Sequence, residues 1–332
     1  MKKAIFSLVL VTSLVFTSCN NDSSVTNYEE IVAVANRGAG TISLINSVTN
    51  QVSSTIAIAG SEPMYVVYVP SKDKLYVGDR AGKKVHIINP DTKLVEGSIA
   101  VGAGVFHMWA SSSQLWVNND IDKTISVINL NTNIVIQTIN VDLKPHDVFV
   151  SSDGTKAFVS VFSTSATTPD KVYMYSTTTF MKTAEANVGK DPHLYHLSSS
   201  NKLIVPCQSG QVYTLNGSNL SVLTNTAFEG AHGVFPSPDQ SSVFVTNISG
   251  AKLYSINTAN STLNGAALAS SETTPHNIVV NNDGTKAFVT HSGATANKVS
   301  IYNLNGANLT ASSIVTAGTN PFGITYYKRA SK

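Results

Sequence analysis

Apolar and polar positions alternate along most of the chain. The stretch TISVINLNTNIVIQTINVDLKPHDVFVSSDGTKAFVS begins at Thr124. It holds an alternating segment (ISVIN), a polar turn (LNTN), a second segment (VIQTINV) and a loop with Pro145. A third segment (DVFVSS), the turn Asp153-Gly154 and a fourth segment (KAFVS) follow. A two-residue period marks a strand with one face on a core, and Asp-Gly between such runs marks a hairpin. The pattern predicts antiparallel strands in units of four, with no helical period anywhere.

The unit recurs. Its last segment appears as IVAVAN ending at Asn36, KLYVGD at Asp79, QLWVNN at Asn119, KAFVSV at Val161, LIVPC at Cys207, SVFVTN at Asn247 and KAFVTH at His291. The successive spacings are 43, 40, 42, 46, 40 and 44 residues. Seven four-stranded units at this period predict an all-β, seven-bladed β-propeller over residues 30–328. A lone blade leaves apolar faces open, and closing the ring buries them. The C-terminal segment NPFGITYYK has no strand after it, and residues 31–36 have none before. The last strand is therefore expected to complete the first blade beside Ile31 to Asn36.

The first residues break the pattern. Lys2 and Lys3 precede an apolar run from Ala4 to Phe16, then Thr17, Ser18 and Cys19. The run is too short to span a bilayer and has the form of an export leader. It resembles a bacterial lipoprotein signal over residues 1–18, which implies lipidation at Cys19 and a polar tether over 19–29. The expected location is the cell envelope, lipid-anchored at the outer membrane, on its surface or periplasmic face. Loss of the leader takes two lysines from a chain of net charge +2, leaving the mature protein formally neutral. Electrostatic capture of nucleic acid is thereby excluded.

The repeat TISVINLNTNIVIQTINV…KPHDVFVSSDGTKAFVS, with SVFVTN at Asn247, resembles the YVTN-type repeat of surface-layer and YncE-like propellers. The resemblance implies fold over the whole repeat region. It does not select an activity, because this fold carries binders, lactonases and metalloenzymes alike.

Two columns across the blades hold the candidate chemistry. The start of each innermost strand reads Phe322, Met64, Phe106, His146, His193, His232 and His276. The end of the next strand reads Asn36, Asp79, Asn119, Val161, Cys207, Asn247 and His291. Imidazole suits zinc or copper, and a free thiol adds affinity for both. His146, His193, His232, His276, His291 and Cys207 are thus the candidate metal ligands. Met64, Phe106 and Phe322, with Asp79, Asn119 and Asn247, are the candidate contacts of an amphipathic ligand at the channel mouth. The other reading of the histidine column is structural: the same residue hydrogen-bonds the neighbouring blade in each repeat. His107 and His196 read as core or inter-blade residues.

Three functions follow as expectations. The first is a non-catalytic envelope lipoprotein that captures a metal or a metal-bearing small ligand. Resemblance to lipidated propellers of Bacteroidota implies a corrinoid as one such ligand, and a TonB-dependent transporter as partner. The second is a lactonase-type hydrolase, and the third a structural or adhesive platform for other proteins.

Overall fold

The computed structural model describes residues 27–331, so the leader, Cys19 and most of the tether lie outside the described residues. All regular structure is β: twenty-eight strands, numbered in chain order, form seven four-stranded antiparallel sheets. Each sheet is one blade of a propeller. The first blade is built from both ends of the described chain: β1 (Tyr28–Asn36), β2 (Thr41–Asn46), β3 (Gln51–Ala57) and the final strand β28 (Pro321–Ala330), in the order β28-β1-β2-β3. The expected closure is therefore present. The ring extends slightly beyond 30–328 because Glu29 and Arg329 pair across β1 and β28. Arg329 is nearly buried and also meets Asp73 (2.9 Å) and Asp91 of the second blade.

Apolar faces of neighbouring blades make the core. One aromatic residue recurs within the second strand of five blades: Tyr76, Trp116, Phe158, Phe244 and Phe288 are all fully buried there. Truncating such a side chain costs about 3–5 kcal/mol.

The innermost strands surround the central channel: β4 (Pro63–Val69), β8 (Val105–Ala110), β12 (Lys144–Val150), β16 (Tyr195–Leu197), β20 (Ala231–Pro236), β24 (Pro275–Val280) and β28. Most begin with a bulge. In β12, Pro145 pairs Val161 and Val148 pairs Val159, so His146 and Asp147 together oppose Ser160. The same offset sets His232 and Gly233 against Thr246, His276 and Asn277 against Thr290, and Phe106 and His107 against Asn118. A bulge leaves an amide unpaired, and the opposing hydroxyl takes it. Asp147 N donates to Ser160 Oγ (2.9 Å), Gly233 N to Thr246 Oγ1 (2.9 Å) and Asn277 N to Thr290 Oγ1 (3.1 Å). Thr246 and Thr290 donate onward to the carbonyls of His276 (2.8 Å) and Phe322 (3.0 Å), tying each blade to the next. The bulge thus gives the channel two residues per blade.

Candidate metal centre

Four column histidines and one unexpected histidine meet in the channel. Adjacent rings follow one another from His107 to His193 (centroids 5.1 Å apart), His193 to His232 (3.8 Å) and His232 to His276 (4.6 Å). His146 lies 4.6 Å from His193. None of the five is more than 5% exposed. Phe322 packs on His276 and Phe106 on His146, closing the apolar side of the ring. Arg37 and Arg80 lie over these two phenyl rings, held by Glu62 (2.6 Å) and Asp120 (2.9 Å).

Two carboxylates orient the imidazoles. His107 Nδ1 lies 2.7 Å from Asp147 Oδ1, and His193 Nδ1 lies 3.6 Å from Asp147 Oδ2. Asp147 also accepts from the amides of Val148 and Leu194, both at 2.8 Å. Asp191, just before Pro192, adopts a left-handed backbone (φ 54°) that an aspartate tolerates. Its carboxylate stands 3.3 Å from His146 Nδ1 and 3.7 Å from His232 Nε2. His146 Nδ1 also reaches the carbonyl of Pro192 (3.2 Å), and His232 Nδ1 that of His276 (3.4 Å).

These contacts fix tautomers. A ring nitrogen facing a carboxylate or carbonyl carries the proton, so Nε2 of neutral His107 and His146 carries the lone pair, whereas His232 has an acceptor beside each nitrogen. His107 Nε2 is buried without a partner. Asn118, opposite the same bulge, is fully buried with both amide atoms unpartnered. His193 Nε2 and His232 Nε2 face each other at 2.9 Å. Two imidazole nitrogens at that distance must share either a proton or a metal cation.

Electrostatics favour this donor set. Burial lowers His107 to about 3 against the pull of Asp147, and lowers His146, His232 and His276 as well. Burial would raise Asp191, but His146, His193 and His232 hold it at about 2. Asp147 is likewise drawn well below the usual carboxylate range by His107 and His193. At neutral pH His107, His146, His232 and His276 are neutral beside ionised carboxylates, the forms that bind metal.

Among the described residues, ligand atoms gather within 4.8 Å in two groups: His107, His146 and His193, and Asp191, His193 and His232. Both contain His193. His276 belongs to neither, and its Nδ1 instead accepts from Asn277 Nδ2 (2.8 Å).

The second column serves the blades instead. Asn119 donates to Thr124 Oγ1 (3.1 Å) and Ser126 Oγ (2.9 Å). Asp79 accepts from the amides of Glu62 (2.9 Å) and Gly82 (3.0 Å) and meets His86 Nε2 (3.1 Å). Asn247 accepts from Gly250 N (2.6 Å) and donates to Tyr254 Oη (2.8 Å). His291 has both ring nitrogens engaged, with Thr273 O and Ser300 Oγ, each at 2.8 Å. Cys207 is fully buried in an apolar cluster, and burial raises its thiol. These residues clamp turns or fill core, so His291 and Cys207 are removed from the expected ligand set, and Asp79, Asn119 and Asn247 from the expected mouth. Met64 is fully buried between the second and third blades. His196 bonds Asn201 Oδ1 (3.0 Å) within its own blade.

Sequence reasoning did not place His107, Asp147 or Asp191 among the site residues. It took one residue per blade where the bulge supplies two. The pair Phe106-His107, in register with His146-Asp147, carried the signal.

No family model and no curated protein sequence matches the chain. Solved structures do. A proposed 6-phosphogluconolactonase of Bacteroides fragilis superposes with TM-score 0.73 at 15% identity, covering 92% of this chain and 100% of that one. A similarly described protein of Bacteroides uniformis gives 0.74 at 14%, with 90% and 99% covered. Kuenenia stuttgartiensis hydrazine synthase gives 0.67 at 15%, with 82% and 99% covered. At these identities the likeness establishes a shared β-propeller fold.

Proposed function

We propose that this protein is a binding protein that holds a divalent transition metal, zinc or copper, in the histidine–aspartate cluster of its channel. The observation that supports it most is the His193–His232 pair, whose Nε2 atoms stand 2.9 Å apart while His232 Nδ1 is committed to a carbonyl. Either His107, His146 and His193 or Asp191, His193 and His232 would supply the ligands, and Asp147 would orient His107. With Cys207 outside the set the donors are nitrogen and oxygen, which suits Zn(II) or Cu(II). Such an ion would polarise a bound oxygen or nitrogen donor.

The reading extends to an envelope lipoprotein that passes its ligand to a TonB-dependent transporter or another envelope protein, on the strength of the leader and Cys19. The channel cavity of about 510 Å³ is of a size for a small ligand.

A second reading is hydrolysis of a lactone. A metal above an open cavity would serve it, and two structural neighbours are described as proposed lactonases. Among the described residues no lysine or arginine lines that cavity to hold a phosphate, so an unphosphorylated lactone fits better.

Metal content after purification without chelator tests the first reading. Near-stoichiometric zinc or copper in the wild type, lost in His193→Ala and His107→Ala, is the expected result. Equal content in all three proteins would overturn it. Turnover of a neutral lactone that depends on the metal would favour the second.

A further inference from the structure

The cluster closes only one end of the channel. Beyond it lies a cavity of about 510 Å³, whose inner end is His107, Asp147 and His193. It opens at the opposite mouth, among the turns that carry Ser237, Gln240 and Asn282. A second cavity, of about 500 Å³, shares Trp109, Tyr195 and Gln240 with it and extends the opening sideways. The ligand mouth expected at the start of the inner strands is therefore not where the open volume lies.

The walls are aromatic and aliphatic. Trp109, Tyr195 and Phe235 follow one another edge to face, with centroids 6.0 Å and 5.1 Å apart and interplanar angles of 83° and 66°. Tyr326, Ile278 and Ile324 face the same space. Trp109, Tyr195 and Phe235 are only partly buried, so each leaves ring surface open. Rings with their faces held in place by neighbours stack a flat guest at low entropic cost.

Charge narrows the guest. Among the described residues, no lysine or arginine lines either cavity. An anion entering it would lose its hydration with no cation to replace it. Asp147 is the one carboxylate lining the first cavity, and its oxygens already face His107, His193 and two amides. A cation therefore gains little. His107 lines the inner end of the cavity, but its Nε2 is itself buried, so it offers the guest no open acceptor.

We propose that this cavity binds a neutral, planar aromatic small molecule, stacked on one ring of the edge-to-face Trp109–Tyr195–Phe235 series. The size falls within the usual range for small-molecule sites, about 300–1,000 Å³. The assignment is independent of the metal.

The probe N-phenyl-1-naphthylamine, a neutral arylamine, tests this in chelator-stripped and zinc-loaded protein. Saturable fluorescence enhancement at micromolar concentration is expected in at least one form, with quenching of tryptophan emission, since Trp109 lines the cavity and Trp116 is fully buried. The anionic relative 1-anilinonaphthalene-8-sulfonate should bind at least tenfold more weakly. Trp109→Ala removes the stacking face, and Thr325→Trp fills the cavity from a partly exposed position. Both should weaken the neutral probe at least tenfold with metal content unchanged. Unaltered affinity in Thr325→Trp, equal binding of the anionic probe, or no saturable signal would overturn the proposal. Probe binding by a protein that retains no metal would sink the metal reading alone. Retained metal without probe binding would sink this one alone.

Discussion

His107 Nδ1 meets Asp147 Oδ1 at 2.7 Å, two buried side chains from adjacent blades brought together by bulges in β8 and β12. The contact fixes the imidazole so that Nε2 faces the cluster unprotonated. Carboxylates that orient a ligating histidine in this way are worth about 10–100-fold in metal affinity. Asp147→Asn is expected to lower zinc affinity by that factor, measured by competition against a chromogenic chelator. The asparagine keeps the shape and the acceptor oxygen, so the fold should persist by circular dichroism. Wild-type affinity in the folded variant would mean that the pair is only structural.

Acid should destabilise the metal-free protein through these histidines. Burial holds His107 at about 3 and lowers His146, His232 and His276 from an ordinary value of 6.5. Below 6.5 the unfolded chain takes up protons that the folded chain refuses. The stability is thus complete above that pH and is lost as pH falls toward the folded values. His107 alone costs about 2 kcal/mol between pH 7 and 5, and the other three act in the same direction. Asp147 and Asp191 add nothing in this window, because their own losses begin below the ordinary carboxylate value of 3.8. Urea midpoints at pH 7.5, 6 and 5 should fall steeply, and less steeply in His107→Phe. A flat profile would show that the imidazoles protonate freely in the fold.

The seven blades and their closure were legible because alternation and turn chemistry repeat about every 43 residues, and strand register follows from both. The first column of histidines was legible for the same reason. The donor set was only half legible. A bulge adds one residue without changing the period of the repeat, so His107 read as interior to its strand. Asp191 belongs to the loop before Pro192, and only its left-handed backbone brings its carboxylate beside His146 and His232. The second column misled for a physical reason. Asn119, Asp79 and Asn247 recur because each blade needs a clamp between the end of its second strand and the following turn or strand. A clamp repeats with the same period as a site.

Ring closure rests on β28, and Arg329 joins it to the second blade as well as the first. Its guanidinium lies among Glu29, Asp73 and Asp91 and is nearly buried, while the carboxylates remain about 30% exposed. Breaking a fully buried pair costs about 3–5 kcal/mol. With solvent reaching the acids, Arg329→Met is expected to cost less, about 2 kcal/mol, read as a lower urea midpoint with an unchanged slope. Truncation after Thr319 removes the whole strand and should abolish the cooperative transition. A truncated chain that still unfolds cooperatively would show that six complete blades suffice.

Cys207 supplies a separate check on the donor set. Its thiol is fully buried among apolar side chains, and burial raises it, so the reactive thiolate is scarce at neutral pH. Its Sγ reaches the Val205 carbonyl at 3.6 Å. In native protein it should resist a disulfide-exchange reagent for hours and react within seconds in denaturant. Cys207→Ala removes one buried sulfur and should cost about 1–2 kcal/mol, leaving zinc and copper content as in the wild type. A variant that folds but loses its metal would put the thiol back among the ligands and displace Asp191 from the set.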